Sequence, residues 1–280
     1  MPKIVKYKTC AAVTVLVYLS SELVTWKPRD VDSGVPGVLW ANVSVCVPAI
    51  PVDYEDGDLM RLLRSVKMQF LKPKEVVVAL SGVSELYAKE IRRELSSVAA
   101  PVRLVLTAVS VARSPGQNRN RAMQYASGDV ISFFDADDIM HPRRVSIITE
   151  AFAVNPALKI VLHGLTSPER PWRQVVTYAT VRKWAGGKLC DIERLSRNLG
   201  QEWMSSKYLQ FDITHGHSSI HRTVAENYEF TDELTGEDCK FVRTILRDLC
   251  ASSNRDHSSL LLDFPFSKYT PRARKRVKTP

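Results

Sequence analysis

The sequence predicts an α/β fold: a doubly wound, mostly parallel central sheet flanked by helices, with a smaller region in the second half of the chain. Three observations predict it. Short apolar runs such as Val43 to Ile50 and Val102 to Val109 alternate with stretches of helical periodicity, the pattern of strands joined by crossover helices. Val130 to Phe134 has the apolar, β-branched and aromatic character of a strand covered on both faces. That run ends on Asp135-Ala136-Asp137-Asp138, so it delivers carboxylates at the carboxyl end of a strand, where such sheets bind ligands.

Each element follows from local signals. Val43 to Ile50 reads as the first strand, closing on Pro48 and Pro51. Asp58 to Phe70 is a helix with Leu59, Leu62, Leu63, Val66 and Phe70 on its buried side. Glu75 to Ser81 is the second strand, Ser84 to Ser97 a helix and Val102 to Val109 the third strand. Pro115 and Gly116 break the chain before a helix that carries Arg119 and Asn120, faces a core with Ala122, Met123 and Ala126, and has Gly128 at the C-cap position. After the fourth strand, His141-Pro142-Arg143-Arg144 opens a helix with Val145, Ile147, Ile148, Ala151 and Phe152 inward.

The second half reads less regularly. Ile160 to His163 is a strand, Thr166 to Arg173 is Pro-rich and irregular, and Val175 to Val181 is another strand. Asp191 to Lys207 is loop and helix, with Trp172, Trp184 and Trp203 scattered through the region. His215, His217 and His221 cluster on one stretch, the first two on one face of a strand, without the spacing that completes a zinc site. Thr235-Gly236-Glu237-Asp238 starts a helix with Phe241, Val242, Ile245 and Leu246 on its apolar face, where acids in the first turn suit the macrodipole.

Composition sets bounds. The chain of 280 residues is 45% hydrophobic and 25% charged, ordinary for a globular protein. Lys and Arg number 39 against 30 Asp and Glu, but Lys3, Lys6 and Lys8, with Lys268, Arg272, Arg274, Lys275, Arg276 and Lys278, stand in acid-free ends. Setting those nine aside leaves a neutral body, so no nucleic-acid partner is expected. Residues 1–41 read as an N-terminal extension whose apolar run at 10–19 has the layout of a signal or weak anchor, short of the ~20 residues a spanning helix needs. Residues 42–155 and 156–267 are two halves of one domain, and 268–280 a basic tail. Cys10, Cys46, Cys190, Cys239 and Cys250 show no Cys-x-x-Cys spacing and read as free thiols. The expected location is cytoplasmic, or membrane-associated through the N-terminus and facing the cytoplasm.

The chemistry rests on two acidic motifs. Asp135, Asp137 and Asp138 crowd like charges, which costs energy unless a cation neutralises them. A hard divalent ion such as Mn²⁺ or Mg²⁺ satisfies them and binds phosphate oxygens on its open positions; a solvated acidic turn is the alternative. No Gly-x-Gly-x-x-Gly or phosphate-cradling Gly-Lys-Ser/Thr loop occurs. The ordered set Arg119-Asn120, Ala126-Ser127-Gly128-Asp129, Asp135-Ala136-Asp137-Asp138 and Pro142 resembles family 2 glycosyltransferases of the GT-A fold over residues 42 to 155.

The resemblance implies a metal-dependent, inverting transfer of a sugar from a nucleoside-diphosphate sugar to a hydroxyl of a glycan, lipid or protein acceptor, the acceptor side lying in the second half of the chain. By analogy Pro48, Ser81, Arg119, Asn120 and Asp135 bind the donor, Asp135 on its ribose side. Asp137 ligates the metal, and Asp135 and Asp138 complete or support its shell. Asp238 is the general base that inversion requires, with Glu237 as the neighbour able to take the role. Family members also carry a small-residue strand ending in Arg near Arg222, facing the donor. The segment Val78 to Gly82 lacks the acid the family places against the nucleotide base, which leaves the base unassigned. Two other classes stay open: a nucleotide-sugar-binding module without turnover, and a haloacid-dehalogenase-type phosphatase, whose nucleophile strand normally comes first.

Overall fold

The computed structural model describes residues 40–167, 169–171, 176–181, 183–186, 189–191, 212–253 and 255–270. Four parallel strands form the first half of the sheet: β1 (Trp40–Ala49), β2 (Lys72–Ser81), β3 (Arg103–Val109) and β4 (Val130–Phe133), in the order β3-β2-β1-β4. They are joined by α1 (Pro51–Glu55), α2 (Asp58–Lys67), α3 (Glu85–Ala99) and α4 (Pro115–Tyr125). Beyond β4 come β5 (Ile139–Met140), α5 (Arg144–Val154), β6 (Ile160–Thr166), β7 (Lys183–Ala185), β8 (Asp212–His221), α6 (Arg222–Ala225), α7 (Glu237–Ala251), α8 (Arg255–Ser258) and β9 (Ser259–Lys268). The sheet continues from β4 as β8-β6-β9-β5, with β7 also on β9. β8 is antiparallel to both neighbours, whereas β6 and β9 run parallel.

Strand alternation fills two apolar layers. Val43, Val45 and Val47 of β1 pack with Leu59 and Leu62 of α2 and Ile91 and Leu95 of α3. Cys46 of the same strand turns the other way, to Ala122 of α4, Ile131 of β4 and Phe241 of α7. Both faces of the parallel half are therefore covered, which is why its strands read as continuous apolar runs. The helix starts are coded locally. Ser84 caps α3 by accepting from Tyr87 N, and Ser114 with Gln117 forms a capping box before Pro115 of α4.

A buried polar knot fixes the turn that aims β4. Glu75 of β2, fully buried, accepts from Ser44 Oγ at 2.7 Å and from the Ser127 amide at 2.6 Å, and pairs outward with Arg103 at 3.0 Å. Arg222 holds the same turn from the far side through the carbonyls of Ala126 and Gly128. This corrects the expectation that Arg222 faces the donor: it sits at the start of β4, whereas the acidic motif is at the end. Gly128 is likewise not a C-cap. α4 ends on an extended Ala126, and a Cβ at Gly128 would lie 2.7 Å from Ser44 N and 2.9 Å from Asn42 O.

Other expectations are also corrected. α2 stops at Lys67 because buried Gln69 leaves the helix to bond the His141 carbonyl and the Val145 amide, capping α5, and Phe70 is exposed under the Arg143 guanidinium. Residues 176–181 form a turn held by Thr177 and Thr180 rather than a strand. Cys190 and Cys250 are disulfide-bonded, which corrects the expectation that both are free thiols. The run at 10–19, Trp172, Trp203, most of 191–207 and the tail from 271 lie outside the described residues. No helix among the described residues is long and apolar enough to cross a membrane.

Gly128→Ala is expected to lower unfolding free energy by about 1–3 kcal/mol, because its Cβ meets backbone atoms that cannot yield independently. Urea denaturation measures this; a midpoint unchanged from wild type would refute the close-approach account.

Candidate active site

β1, β2 and β4 run parallel, so their carboxyl ends share one end of the sheet, and the chain leaving β4 there carries Asp135, Asp137 and Asp138. The start of α7 meets them through Arg119 of α4. Arg119 is buried; its Nη2 donates to Asp135 Oδ1 at 2.6 Å and its Nη1 to Glu237 Oε1. Burial opposes its charge, but Asp135, Glu237 and Asp238 around it outweigh burial and hold the guanidinium firmly charged. It also lies over Phe230, which stacks on Phe241 of α7 at 3.8 Å, so aromatic packing sets its position.

The aspartates differ by their neighbours. Burial works against the charge of Asp135, yet Arg119 and His217 more than compensate and keep it well below the usual carboxylate range. Asp137 is raised to about 6 by burial and then by the charges of Asp138 and Asp135. Asp138 is buried, and its Oδ1 accepts from the Thr270 amide at 2.8 Å.

β8 supplies what the acids lack. His217 is buried, with its ring stacked on Phe134 at 4.2 Å and its Nδ1 2.7 Å from Ser267 Oγ. Its Nε2 lies 3.2 Å from Asp138 Oδ2 and 3.5 Å from Asp135 Oδ2, yet neither contact has hydrogen-bond alignment. Burial pushes this ring down and the two carboxylates more than reverse it, so its pKa lies above the ordinary value. His215 is lowered to about 4, chiefly by burial, against the opposing charge of Asp238. Between the histidines, a Cβ on Gly216 would stand 3.0 Å from Asp135 Oδ2, 3.2 Å from Arg119 Nη2 and 3.3 Å from Asp238 Oδ2. His221 lies at the other end of the strand, opposite Val130.

A cleft of about 480 Å³ opens on this cluster. Of the residues singled out from sequence, Pro48, Arg119, Asp135, Asp137 and Glu237 line it. Asp138 lies behind it against His217, and Asp238 beside Gly216. Ser81 and Asn120 do not line it. Ser81 is buried and accepts from Asn118 Nδ2 at 2.9 Å, and Asn120 pairs with the Phe230 backbone through both ends of its amide. Sequence reasoning missed Asp53, Arg113, Asn118 and Leu234, which also line the cleft. Asp53 carries a signal in retrospect: it is the N3 acid of α1, and its Oδ2 accepts from Ile50 N at 2.7 Å, the second half of a capping box.

The fold and this cleft define a GT-A glycosyltransferase architecture. The glycosyl transferase family 2 model matches residues 44–228, more than half the chain, and the protein belongs to that family. The match ends before α7. Among solved structures, TarS 1-349 of S. aureus aligns with a TM-score of 0.56 at 18% identity, covering 81% of this chain and 60% of that one. The same fragment with UDP-GlcNAc gives 0.55 at 19%, over 82% and 58%. Glucosyl-3-phosphoglycerate synthase from Mycobacterium tuberculosis, with Mn²⁺, UDP and phosphoglyceric acid, gives 0.50 at 17%, over 88% and 76%. The chain thus spans about three fifths of the TarS fragment. No curated protein matches the sequence.

The raised Asp137 gives a pH signature. Its folded pKa of about 6 exceeds the ordinary 3.8, so the native state holds this proton more tightly, and stability is lost as pH rises between those values. In metal-free protein, Asp137→Asn is expected to raise Tm above pH 6 and to leave it unchanged near pH 3. A difference that stays flat across the range would contradict the raised pKa that burial and the neighbouring carboxylates impose.

Gly216→Ala is expected to cut activity or donor binding at least tenfold while circular dichroism stays native, because its Cβ intrudes on Asp135, Arg119 and Asp238 together. Unimpaired binding and turnover would mean those side chains have room to yield.

Proposed function

We propose that this chain transfers a sugar from a nucleoside-diphosphate sugar to an acceptor hydroxyl, with inversion at the anomeric carbon. One observation carries the reading: Arg119 ties Asp135, after β4, to Glu237, at the start of α7, so the two acidic motifs face one cleft. Family membership supports the reaction class. The neighbours bound to UDP-GlcNAc, or to UDP with Mn²⁺, support the donor class.

Asp135, Asp138 and His217 each offer a ligand atom within 4.8 Å of the others, and a buried imidazole nitrogen without an aligned hydrogen bond faces the two carboxylates. That donor set fits Mn²⁺ or Mg²⁺. It shares Asp135 and Asp138 with the expected set and has His217 where Asp137 was expected. A divalent ion held by these residues would supply positive charge against the diphosphate of the donor.

The protein's own groups do the rest. Arg119, and Arg113 at the cleft wall, bring positive charge to the side where the leaving group develops its negative charge. Glu237 is engaged by Arg119, whereas Asp238 keeps Oδ1 on the Cys239 amide at 2.7 Å and Oδ2 beside Gly216. Asp238 Oδ2 therefore takes the proton of the acceptor hydroxyl as the new bond forms. The acceptor is a hydroxyl of a glycan, lipid or protein.

Asp238→Asn is expected to lower transfer from a nucleotide-sugar panel with Mn²⁺ by about 10²–10⁴-fold. The donor should still raise its Tm, since the substitution leaves the donor contacts in place. Full activity in this variant would remove Asp238 as the base. A wild-type protein stabilised by no nucleotide sugar would sink the donor assignment, and stabilisation without transfer to any acceptor or water would instead make the chain a binding module.

A further inference from the structure

The end of β9 reaches two of the three residues that fit the metal. Ser267 is fully buried with Oγ 2.7 Å from His217 Nδ1, and the Thr270 amide donates to Asp138 Oδ1 at 2.8 Å. The segment between them is pinned, because Lys268 pairs with Ile139 of β5 and Thr166 of β6, and the Tyr269 amide donates to the Thr166 carbonyl at 2.9 Å.

His217 is gripped at other points too. Its carbonyl accepts from Arg144 Nη2 at 2.7 Å and its ring stacks on Phe134. Those contacts fix where the ring lies, but they are indifferent to which ring nitrogen carries the proton. A ligating imidazole must present a lone pair at one nitrogen and donate its remaining N–H elsewhere, and that partner tunes metal affinity. Here Nε2 faces Asp135 and Asp138, which leaves Nδ1 to hold the proton. A hydroxyl suits that task, since it accepts from Nδ1–H when Nε2 ligates and donates to Nδ1 when Nε2 carries the proton instead.

From this we infer that Ser267 is a positioning residue for the metal site: its hydroxyl accepts the His217 Nδ1 proton and so turns the Nε2 lone pair toward the ion, while the Thr270 amide fixes Asp138. The inference rests on the metal reading above. It makes the C-terminal strand, outside the stretch matched by the family model, a determinant of cation affinity.

The test is Mn²⁺ titration of the full chain by calorimetry, without donor, for wild type, Ser267→Ala and Ser267→Thr. Ser267→Ala is expected to bind Mn²⁺ about 10–100-fold more weakly. Ser267→Thr, which keeps the hydroxyl, should recover most of the loss, and without metal Ser267→Ala should melt somewhat lower, because the buried His217 Nδ1 loses its partner. A ¹⁵N spectrum of the Mg²⁺-loaded wild type should show His217 protonated at Nδ1. Equal Mn²⁺ affinity in wild type and Ser267→Ala would overturn the inference while leaving the metal reading intact. Wild type that binds no Mn²⁺ would overturn the metal reading itself and the inference with it. Should Ser267→Ala not fold, the wild-type spectrum decides, because an unprotonated Nδ1 in the Mg²⁺-loaded state is incompatible with the proposed role.

Discussion

The carboxylates Asp135, Asp137, Asp138, Glu237 and Asp238 crowd one end of the sheet, and the buried Arg119 is the charge that lets them do so. Like charges about 4 Å apart repel by roughly 4 kcal/mol at an effective dielectric constant near 20. Whole-domain stability is only about 5–15 kcal/mol, so such crowding cannot go unanswered. Arg119 answers for Asp135 and Glu237. Asp137 lies outside that pair and is pushed upward, first by burial and then by the charges of Asp138 and Asp135. A second positive charge is called for beside Asp138, and His217 stands there, raised above its ordinary range. The divalent ion proposed for this site would meet the same deficit.

The mixed half of the sheet makes that arrangement reachable. A purely parallel continuation would bring another carboxyl end beside β4. The antiparallel β8 instead runs back along it, with Ser219 opposite Ser132, so the residues before this pair, Gly216 and His217, arrive at the end where β4 releases its aspartates. Arg144 stiffens the junction. Its fully buried guanidinium donates to the carbonyls of Phe133 and His217, to Ser132 Oγ and to His163, binding β4, β6 and β8 into one block. Burial lowers its pKa to about 9, which leaves it cationic at neutral pH, and that charge sits behind His217.

The sequence disclosed the parallel half because burial on both faces leaves a continuous apolar run, and capping boxes mark where helices begin. It disclosed the acidic motifs because they are local. It hid β9, where Pro265 interrupts the run and the register with β6 shifts around Gly164. It hid β5 and β7, whose two or three residues are too short to carry periodicity. His217 was visible as part of a cluster but not as a neighbour of Asp138, because the contact depends on β8 lying beside β4. Its partner Ser267 is fifty residues further on. Ser81 and Asn120 are hard to place for another reason: a polar residue at the end of a strand or on a site helix serves the backbone or a neighbouring side chain as readily as a ligand.

The adjacent acids at the start of α7 carry the last distinction that sequence leaves open. Successive residues on a helix project about 100° apart, since each turn takes 3.6 residues, so neighbours cannot share one environment. Glu237, with the longer reach, turns into the protein and closes the ion pair with Arg119. Asp238 is half-buried and turns toward β8, where Gly216 leaves the space that its Oδ2 approaches. Exchanging the two would put the short carboxylate where the span to Arg119 is needed and the long one where Gly216 leaves little room. The order Glu then Asp, and the glycine across from them, are therefore parts of one constraint. The first acid neutralises the cation that organises the aspartates, and that leaves the second as the carboxylate proposed to meet the acceptor.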